Sequence, residues 1–358
     1  MSNVVADIKS LLENPLLIYG AGKGAFRLII NLKELNADII GLVVSDISDS
    51  RTLGFDGFKV QTPDAYKEYK DSAVVLIATS PKYHDEIKAN CMRLGFKNTV
   101  LYTNDLIKEL SLMSHKRLFI RNNLPMDTEI ISIGDGKYLN PFSELFPQKF
   151  GIIDQWEDIC STALGDMSMS YEGPYEYGPV KISDSDVVLD IGASIGYVSV
   201  YAVSKGAEAY AFEPSPENHT LIKRHSKLNG NRIHLRPYAI SDECGQVNFR
   251  VSPLCNAGSS LDGCEKGSRE LIIASQITVD EFVKKEKLKK VDYIHVNIMG
   301  AERLMLQGAQ DSLRKFAPKI VICSYYDSTD GLVLPELILK ANPNYKILHN
   351  RGKIYAYV

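Results

Sequence analysis

The chain lacks the charge excess and the long apolar runs that would assign it to several large protein classes. Its 41 lysines and arginines against 44 aspartates and glutamates give a net charge of -3. Without a basic tail or an arginine-rich stripe, no nucleic-acid partner is expected, because binding the phosphate backbone needs clustered positive charge. The longest nearly uncharged stretch, residues 191–204, is shorter than a membrane span, so none is predicted.

Cysteine and histidine patterns of a metal site are also missing. The six cysteines form no CxxC pair, and the seven histidines show no HxH or HxxxH spacing. Cys244, Cys255 and Cys264 lie close together in sequence, but their spacing suits neither a zinc ribbon nor a zinc knuckle. We therefore predict no metal and reduced thiols. The first residues lack the unbroken apolar core of a signal peptide, so a cytoplasmic location is expected.

Apolar strands that alternate with helical patterns run through both halves of the chain. At 358 residues, with 45% hydrophobic and 24% charged residues, two packed domains are expected. Strands are predicted at 16–19, 39–44, 74–78 and 100–102, and again at 187–191, 209–212, 233–240, 293–298 and 320–323, with a terminal hairpin over 346–358. This order predicts an α/β fold of two Rossmann-like, doubly wound units.

Three regions follow from these patterns. We assign residues 1–105 to a small Rossmann-like domain and 181–358 to a second, larger α/β domain. The region between them, 106–180, begins with a helical pattern and then becomes rich in proline and aromatic residues. A disordered linker would hold few aromatics, so we expect this region to cover the second domain and to contribute to a substrate wall.

A cofactor loop is predicted where the strand at 187–191 runs into a D-x-G-x-x-x-G turn. Dinucleotide-binding loops read G-x-G-x-x-G, whereas here Asp190 takes the first position and the last gap is longer. A carboxylate suits a cationic group such as the methionyl ammonium of S-adenosylmethionine, and glycine leaves room for its approach. The predicted cofactor residues are Asp190, Gly192, Ala193, Gly196, the ribose-binding Glu213 at the next strand end, and Asp242 near the adenine, although Asp242 is equally a surface turn residue.

Several segments in order resemble the FkbM family of methyltransferases. They are Y-E-G-P-Y-E at 171–176, the loop at 188–196, A-F-E-P at 211–214, I-T-V-D-E-F at 277–282 and V-D-Y-I-H-V-N-I-M-G-A-E at 291–302. The resemblance implies a class I S-adenosylmethionine-dependent methyltransferase fold with a terminal β-hairpin, in which Glu172 either helps to hold the cofactor or caps a turn. It also implies O-methylation of a sugar or sugar-nucleotide hydroxyl in bacterial surface-polysaccharide biosynthesis.

The chain departs from the family at the strand that should approach the reacting atoms. Where the family usually reads K-I-D-V-E-G-A-E, residues 295–302 read H-V-N-I-M-G-A-E, so carboxylates are missing at Asn297 and Met299. Asparagine can orient a substrate but cannot take a proton. The catalytic candidates are His295, Asn297 and Tyr325, with His295 or a tyrosine removing the hydroxyl proton. The alternative is a catalytically silent scaffold or regulatory protein that keeps its cofactor.

A second glycine-rich turn lies near the N-terminus. Residues 20–25 fit G-x-G-x-x-G/A between a strand and a helix, with Asp46 at the end of the second strand. This pattern resembles the small Rossmann-like domains at the front of sugar-modifying acetyltransferases and of some FkbM proteins. A nucleotide or nucleotide-sugar ligand is therefore expected at Gly20–Ala25, with a domain that only packs or dimerises as the alternative. The sequence leaves a homo-oligomer open.

Overall fold

The computed structural model describes residues 2–20, 23–45, 60–147, 159–164, 174–251, 260–261, 270–327 and 329–358. The chain divides into two compact units near Leu124 and Pro125, and the helix predicted after residue 105 belongs to the first of them. Within the described ranges, no helix is both long and apolar enough to cross a bilayer.

The first unit contains a five-stranded parallel sheet with the strand order β3-β2-β1-β4-β5. Its elements are α1 (Ser2–Glu13), β1 (Leu16–Tyr19), α2 (Lys23–Glu34), β2 (Ile39–Val43), β3 (Val60–Gln61), β4 (Val74–Ile77), α3 (His84–Arg93), β5 (Asn98–Leu101) and α4 (Asn104–Arg121). The apolar runs of β1 and β4 are buried throughout, as expected for strands covered on both faces.

The glycine turn after β1 passes very close to the neighbouring strand end. Gly20 has φ +133°, and a Cβ there would stand 2.8 Å from the carbonyl oxygen of Ala78. Glycine is required at this position because only it combines that backbone angle with so close an approach. Ala21, Gly22 and Asp46 lie outside the described residues, so the nucleotide site predicted at Gly20–Ala25 stays a prediction.

The second unit is built on a seven-stranded sheet in the order β10-β9-β8-β15-β16-β18-β17, in which β18 runs antiparallel to both neighbours. The strands of this sheet are β8 (Val187–Ile191), β9 (Glu208–Phe212), β10 (Ile233–Arg236), β15 (Tyr293–Val296), β16 (Lys319–Cys323), β17 (Lys346–Asn350) and β18 (Lys353–Tyr357). The α/β fold with a terminal hairpin, predicted as the class I methyltransferase arrangement, is confirmed.

Helices and smaller sheets complete this unit. Its helices are α5 (Tyr197–Ser204), α6 (Pro216–Leu228), α7 (Val279–Lys285), α8 (Glu302–Gln307), α9 (Gln310–Phe316) and α10 (Asp330–Ala341), with a π-helical turn at Cys160–Leu164. A four-stranded sheet in the order β11-β14-β12-β13 is formed by β11 (Ala239–Ile240), β12 (Gly245–Val251), β13 (Ser260–Leu261) and β14 (Glu270–Ile277), and a hairpin by β6 (Ile130–Ile133) and β7 (Gly136–Leu139).

One predicted strand is divided in two. The sequence predicts a single strand over 233–240, but the structure ends β10 at Arg236 and begins β11 at Ala239, in a different sheet. Pro237 lies between them, and proline cannot donate the backbone hydrogen bond that a continuous strand needs. The break turns Tyr238 towards the carboxyl edge of the large sheet.

The two faces of the large sheet differ in character. One face packs an apolar cluster against the helices, including Leu189, Ile294 and Ile320. Side chains alternate along a strand, so the opposite face carries Asp190 of β8 and, directly across from it, His295 of β15. Both are buried, so the polar face meets protein rather than bulk water. The strands carrying them end at the same edge, where a ligand is expected in this fold.

Candidate functional site

A cleft of about 520 Å³, open to solvent, lies at the carboxyl ends of β8, β9 and β15. The residues that line it come from five segments of the sequence: Ile191, Gly192, Ser194, Phe212, Glu213, Pro214, Tyr238, Ala239, Ile240, Phe249, Asn297, Ile298, Met299 and Ala301. Three predicted site residues, Gly192, Glu213 and Asn297, are thus brought together here.

The glycine turn after β8 is fixed by close backbone contacts. Gly192 has φ +87°, and a Cβ there would lie 2.1 Å from the carbonyl oxygen of Asn297. The N–H groups of Gly192 and Ala193 both donate to the carbonyl of Phe212, at 3.1 and 3.0 Å. Gly196, with φ +92°, precedes α5 in a left-handed conformation. The turn therefore packs strand ends β8, β9 and β15 against one another.

Glu213 is held firmly at the edge of the cleft. Its Oε2 accepts from the backbone N–H of Ser194 at 2.9 Å, and its Oε1 accepts from that of Ser215 at 2.8 Å. Burial raises the pKa of Glu213 to about 7, although these N–H donors act in the opposite direction. The carboxylate lines the cleft in a fixed orientation, and each oxygen keeps further lone pairs for a ligand hydroxyl.

Asp190 lies behind the cleft and has protein partners on both oxygens. Its Oδ1 is 2.7 Å from Nδ1 of His295, and its Oδ2 accepts from the hydroxyl of Ser199 at 2.5 Å. The carboxylate is fully buried and is not among the cleft-lining residues. The predicted contact between Asp190 and a ligand ammonium stays a prediction, and in the structure this side chain orients His295.

His295 is almost fully buried, yet one ring nitrogen is unsatisfied. Asp190 engages Nδ1, whereas Nε2 is buried without a hydrogen-bond partner in the part of the chain that the structure describes. The ring of Tyr175 packs edge-on against the imidazole, with centroids 4.9 Å apart. His295 is not among the cleft-lining residues, and its unpaired Nε2 is unusual because buried polar atoms rarely lack a partner.

The wall opposite Glu213 is formed by residues 297–301, which follow β15. Met299 and Gly300 have φ +55° and +100°, so this segment folds back sharply. Glu302 fixes it: its carboxylate accepts from the N–H groups of Ile298 and Gly300, each at 2.9 Å. Burial raises the pKa of Glu302 to about 7. Glu302, the first residue of α8, therefore also shapes the cleft wall.

A row of hydroxyl and amide groups continues from that wall. The hydroxyl of Tyr326 donates to Oδ1 of Asn297 at 2.9 Å, and the hydroxyl of Tyr325 lies 3.2 Å from that of Tyr326. Of the predicted catalytic residues, Asn297 therefore lines the cleft. Tyr325 is connected to Asn297 through the hydroxyl of Tyr326. Tyr326 makes the direct contact with Asn297.

Two further residues of the predicted cofactor site are not placed at the cleft by the described residues. Asp242 is exposed and is not among the cleft-lining residues, and Glu172 lies outside the described residues. Tyr238 and Phe249, which the sequence did not single out, provide aromatic surface beside Ile240. Pro237 is the signal that could have indicated Tyr238, because a strand broken there must turn at the sheet edge.

His225, on α6, ties the cofactor turn to the β6–β7 hairpin. Its Nε2 accepts from the N–H of Leu139 at 2.9 Å, and its Nδ1 donates to the carbonyl of Ile195 at 2.8 Å. These partners require a neutral imidazole with its proton on Nδ1. The ring is completely buried, and this burial lowers the pKa of His225 to about 4.

We expect His225 to reduce stability in acid. Because its pKa falls on folding from 6.5 to about 4, its contribution is complete above pH 6.5 and is lost as the pH falls towards 4. The shift corresponds to about 3 kcal/mol of unfolding free energy. His225→Gln keeps an acceptor for Leu139 but cannot take a proton, so its stability should lack this loss.

Denaturant titrations of both proteins across that pH range provide the test. The raised pKa values of Glu213 and Glu302 act with the opposite sign, stabilising the fold as the pH falls, so the comparison uses the difference between variant and wild type. Parallel pH dependence in the two proteins would show that His225 is not the responsible group.

The part of the chain that forms the cleft matches a known methyltransferase domain. Residues 190–342 match the family described as Methyltransferase FkbM domain, and residues 12–101 match the one described as C2185-like, N-terminal. A hexuronic acid methyltransferase of Haloferax volcanii, AglP, is 28% identical over 159 residues, which are 44% of this chain. The match spans 63% of that relative's length.

Solved structures were also compared. The methyltransferase FkbM of Methylobacillus flagellatus aligns over 99% of this chain and 92% of its own, with 18% identity and a TM-score of 0.43. Fibrillarin of Aeropyrum pernix with bound S-adenosyl-L-methionine aligns over 49% and 67%, with 11% identity and a TM-score of 0.29. Residues 190–342, which include every residue that lines the cleft, thus match the methyltransferase FkbM domain.

Proposed function

We propose that the cleft binds S-adenosylmethionine and that the enzyme methylates a hydroxyl of a sugar or sugar nucleotide, in the cytoplasm, during surface-polysaccharide synthesis. The observation that carries this proposal is the fixed carboxylate of Glu213 beside the Gly192 turn, at the carboxyl edge of the sheet. The hexuronic acid methyltransferase among the relatives supports a glycan acceptor.

The cleft suits this cofactor in three respects. Glu213 can accept from a ribose diol, and Tyr238 with Phe249 offers apolar surface for an adenine. The hydroxyl of Ser194 is buried at the cleft and has no hydrogen-bond partner among the described residues, so it is available to a polar ligand atom. Bound here, S-adenosylmethionine would supply an electrophilic methyl group on a cationic sulfur.

The protein's own contribution is to position the acceptor and to receive its proton. Methylation forms a bond between the acceptor oxygen and the methyl carbon, the carbon–sulfur bond breaks, and the hydroxyl proton must leave. We assign that proton to Nε2 of His295, because Asp190 holds the proton on Nδ1 and leaves the Nε2 lone pair unpaired. Positioning the two reactants together supplies much of the remaining acceleration.

A catalytically silent scaffold is the competing proposal. It is favoured by the wall at 297–301, where Asn297 and Met299 offer no group that takes a proton at neutral pH. Both proposals require cofactor binding and differ only in turnover. Transfer of labelled methyl groups to glycan precursors therefore separates them, and saturated cofactor binding without any transfer favours the scaffold.

Calorimetric titration with S-adenosylhomocysteine tests the shared requirement. We expect binding by the wild type and about tenfold to hundredfold weaker binding by Glu213→Gln, because one hydrogen-bonding carboxylate is lost from the cleft. Glu217→Gln is the matched control, since this carboxylate lies nearby on α6 but is exposed. Absent binding in the wild type, or equal affinities for all three proteins, contradicts the proposed function.

A further inference from the structure

The wall of the cleft formed by residues 297–301 presents no negative charge. Its lining side chains are Asn297, Ile298, Met299 and Ala301. Glu302 follows directly, but its carboxylate is 1% exposed and faces the backbone N–H groups of Ile298 and Gly300. Within the described residues, the wall is therefore neutral and has one polar side chain, Asn297, that faces the cleft.

The amide of Asn297 has a defined orientation. Tyr326 donates its hydroxyl proton to Oδ1 at 2.9 Å, and Tyr325 stands behind it with its hydroxyl 3.2 Å away. Since Oδ1 is engaged, the amide nitrogen is the group left for the cleft, and it has no acceptor among the residues that the structure describes. An amide nitrogen only donates, so it selects a ligand atom that accepts.

We propose that Asn297 selects an acceptor sugar that carries an anionic group, a carboxylate or a phosphate, next to the methylated hydroxyl. This inference rests on the proposed function, because it concerns the acceptor side of the same cleft. An anionic oxygen accepts from the Asn297 amide and balances the positive charge that a sulfonium brings into the cleft. A carboxylate on this wall would repel such an acceptor, and the wall contains none in the described chain.

Asn297→Asp is the sharpest test because it adds one negative charge with almost no change in size. Tyr326 can still donate to one carboxylate oxygen, so the other faces the cleft as an anion. Affinities of the protein saturated with S-adenosylhomocysteine are measured by calorimetry for methyl glucuronoside, glucose 1-phosphate and the neutral methyl glucoside. We expect the wild type to bind an anionic sugar more tightly than the neutral one.

In Asn297→Asp, the preference for the anionic over the neutral sugar should fall by about tenfold to a hundredfold, because the new carboxylate repels the anionic group of the sugar. Asn344→Asp adds the same charge at an exposed position on the chain and should leave the preference unchanged. Whichever anionic sugar the wild type binds more tightly, methyl glucuronoside or glucose 1-phosphate, then shows whether a carboxylate or a phosphate is the recognised group.

Three results would overturn the inference: a wild type that prefers the neutral sugar, one that binds none of the three, or an unchanged preference in Asn297→Asp. Each of them leaves the proposed function intact, because that function is judged separately by S-adenosylhomocysteine binding. Failure of the wild type to bind S-adenosylhomocysteine would instead remove both.

Discussion

Gly192→Ala is expected to abolish S-adenosylhomocysteine binding and to lower the free energy of unfolding by about 2 to 5 kcal/mol. The added Cβ would lie 2.1 Å from the carbonyl oxygen of Asn297, on a residue whose φ is +87°. That oxygen cannot move aside easily, since the same residue's N–H is bonded to the carbonyl of Ile191 at 3.0 Å. Relief of the clash must therefore displace the turn or the opposite wall.

Gly196→Ala is the matched control for this prediction. Its φ of +92° imposes a similar left-handed strain, but a Cβ there meets its nearest atom, Cγ1 of Ile222, at an ordinary 3.6 Å. We expect a cost of about 1 to 2 kcal/mol and measurable ligand binding. Urea titration and calorimetry on both variants decide the matter. Equal losses would mean that backbone strain, and not the contact with Asn297, makes glycine necessary.

Most of the sheet could be predicted because its strands are apolar runs bounded by turns. Predicted and observed limits of β8 agree, as does the terminal hairpin around Asn350 and Gly352. A short apolar run bounded by turn residues is the pattern of a buried strand. The β6–β7 hairpin was not predicted, because its short strands alternate weakly and lie in a region whose prolines and aromatics suggested only a covering segment.

Site residues could be predicted where the local sequence around them determines their position. The turn at Gly192 and the strand end at Glu213 belong to this group, since strand-to-helix turns place them at the carboxyl edge. Contacts between distant segments were not predictable. The pairing of Asp190 with His295 depends on the register between β8 and β15, and the anchoring of the turn by His225 depends on packing of α6.

His295→Asn is expected to lower the turnover rate by about 10² to 10⁴-fold while leaving S-adenosylhomocysteine affinity within a few-fold. The asparagine amide can take the place of Nδ1 and still donate to Asp190, but it cannot accept a proton at neutral pH.

Ser199→Ala separates this role from a structural one. It removes the other hydrogen bond to the Asp190 carboxylate but leaves the imidazole in place, so a stability cost of about 1 to 3 kcal/mol is expected. If His295 receives the proton, turnover in Ser199→Ala should stay within about tenfold of the wild type. If His295 only completes a buried polar pair, the two variants should lose stability and turnover together.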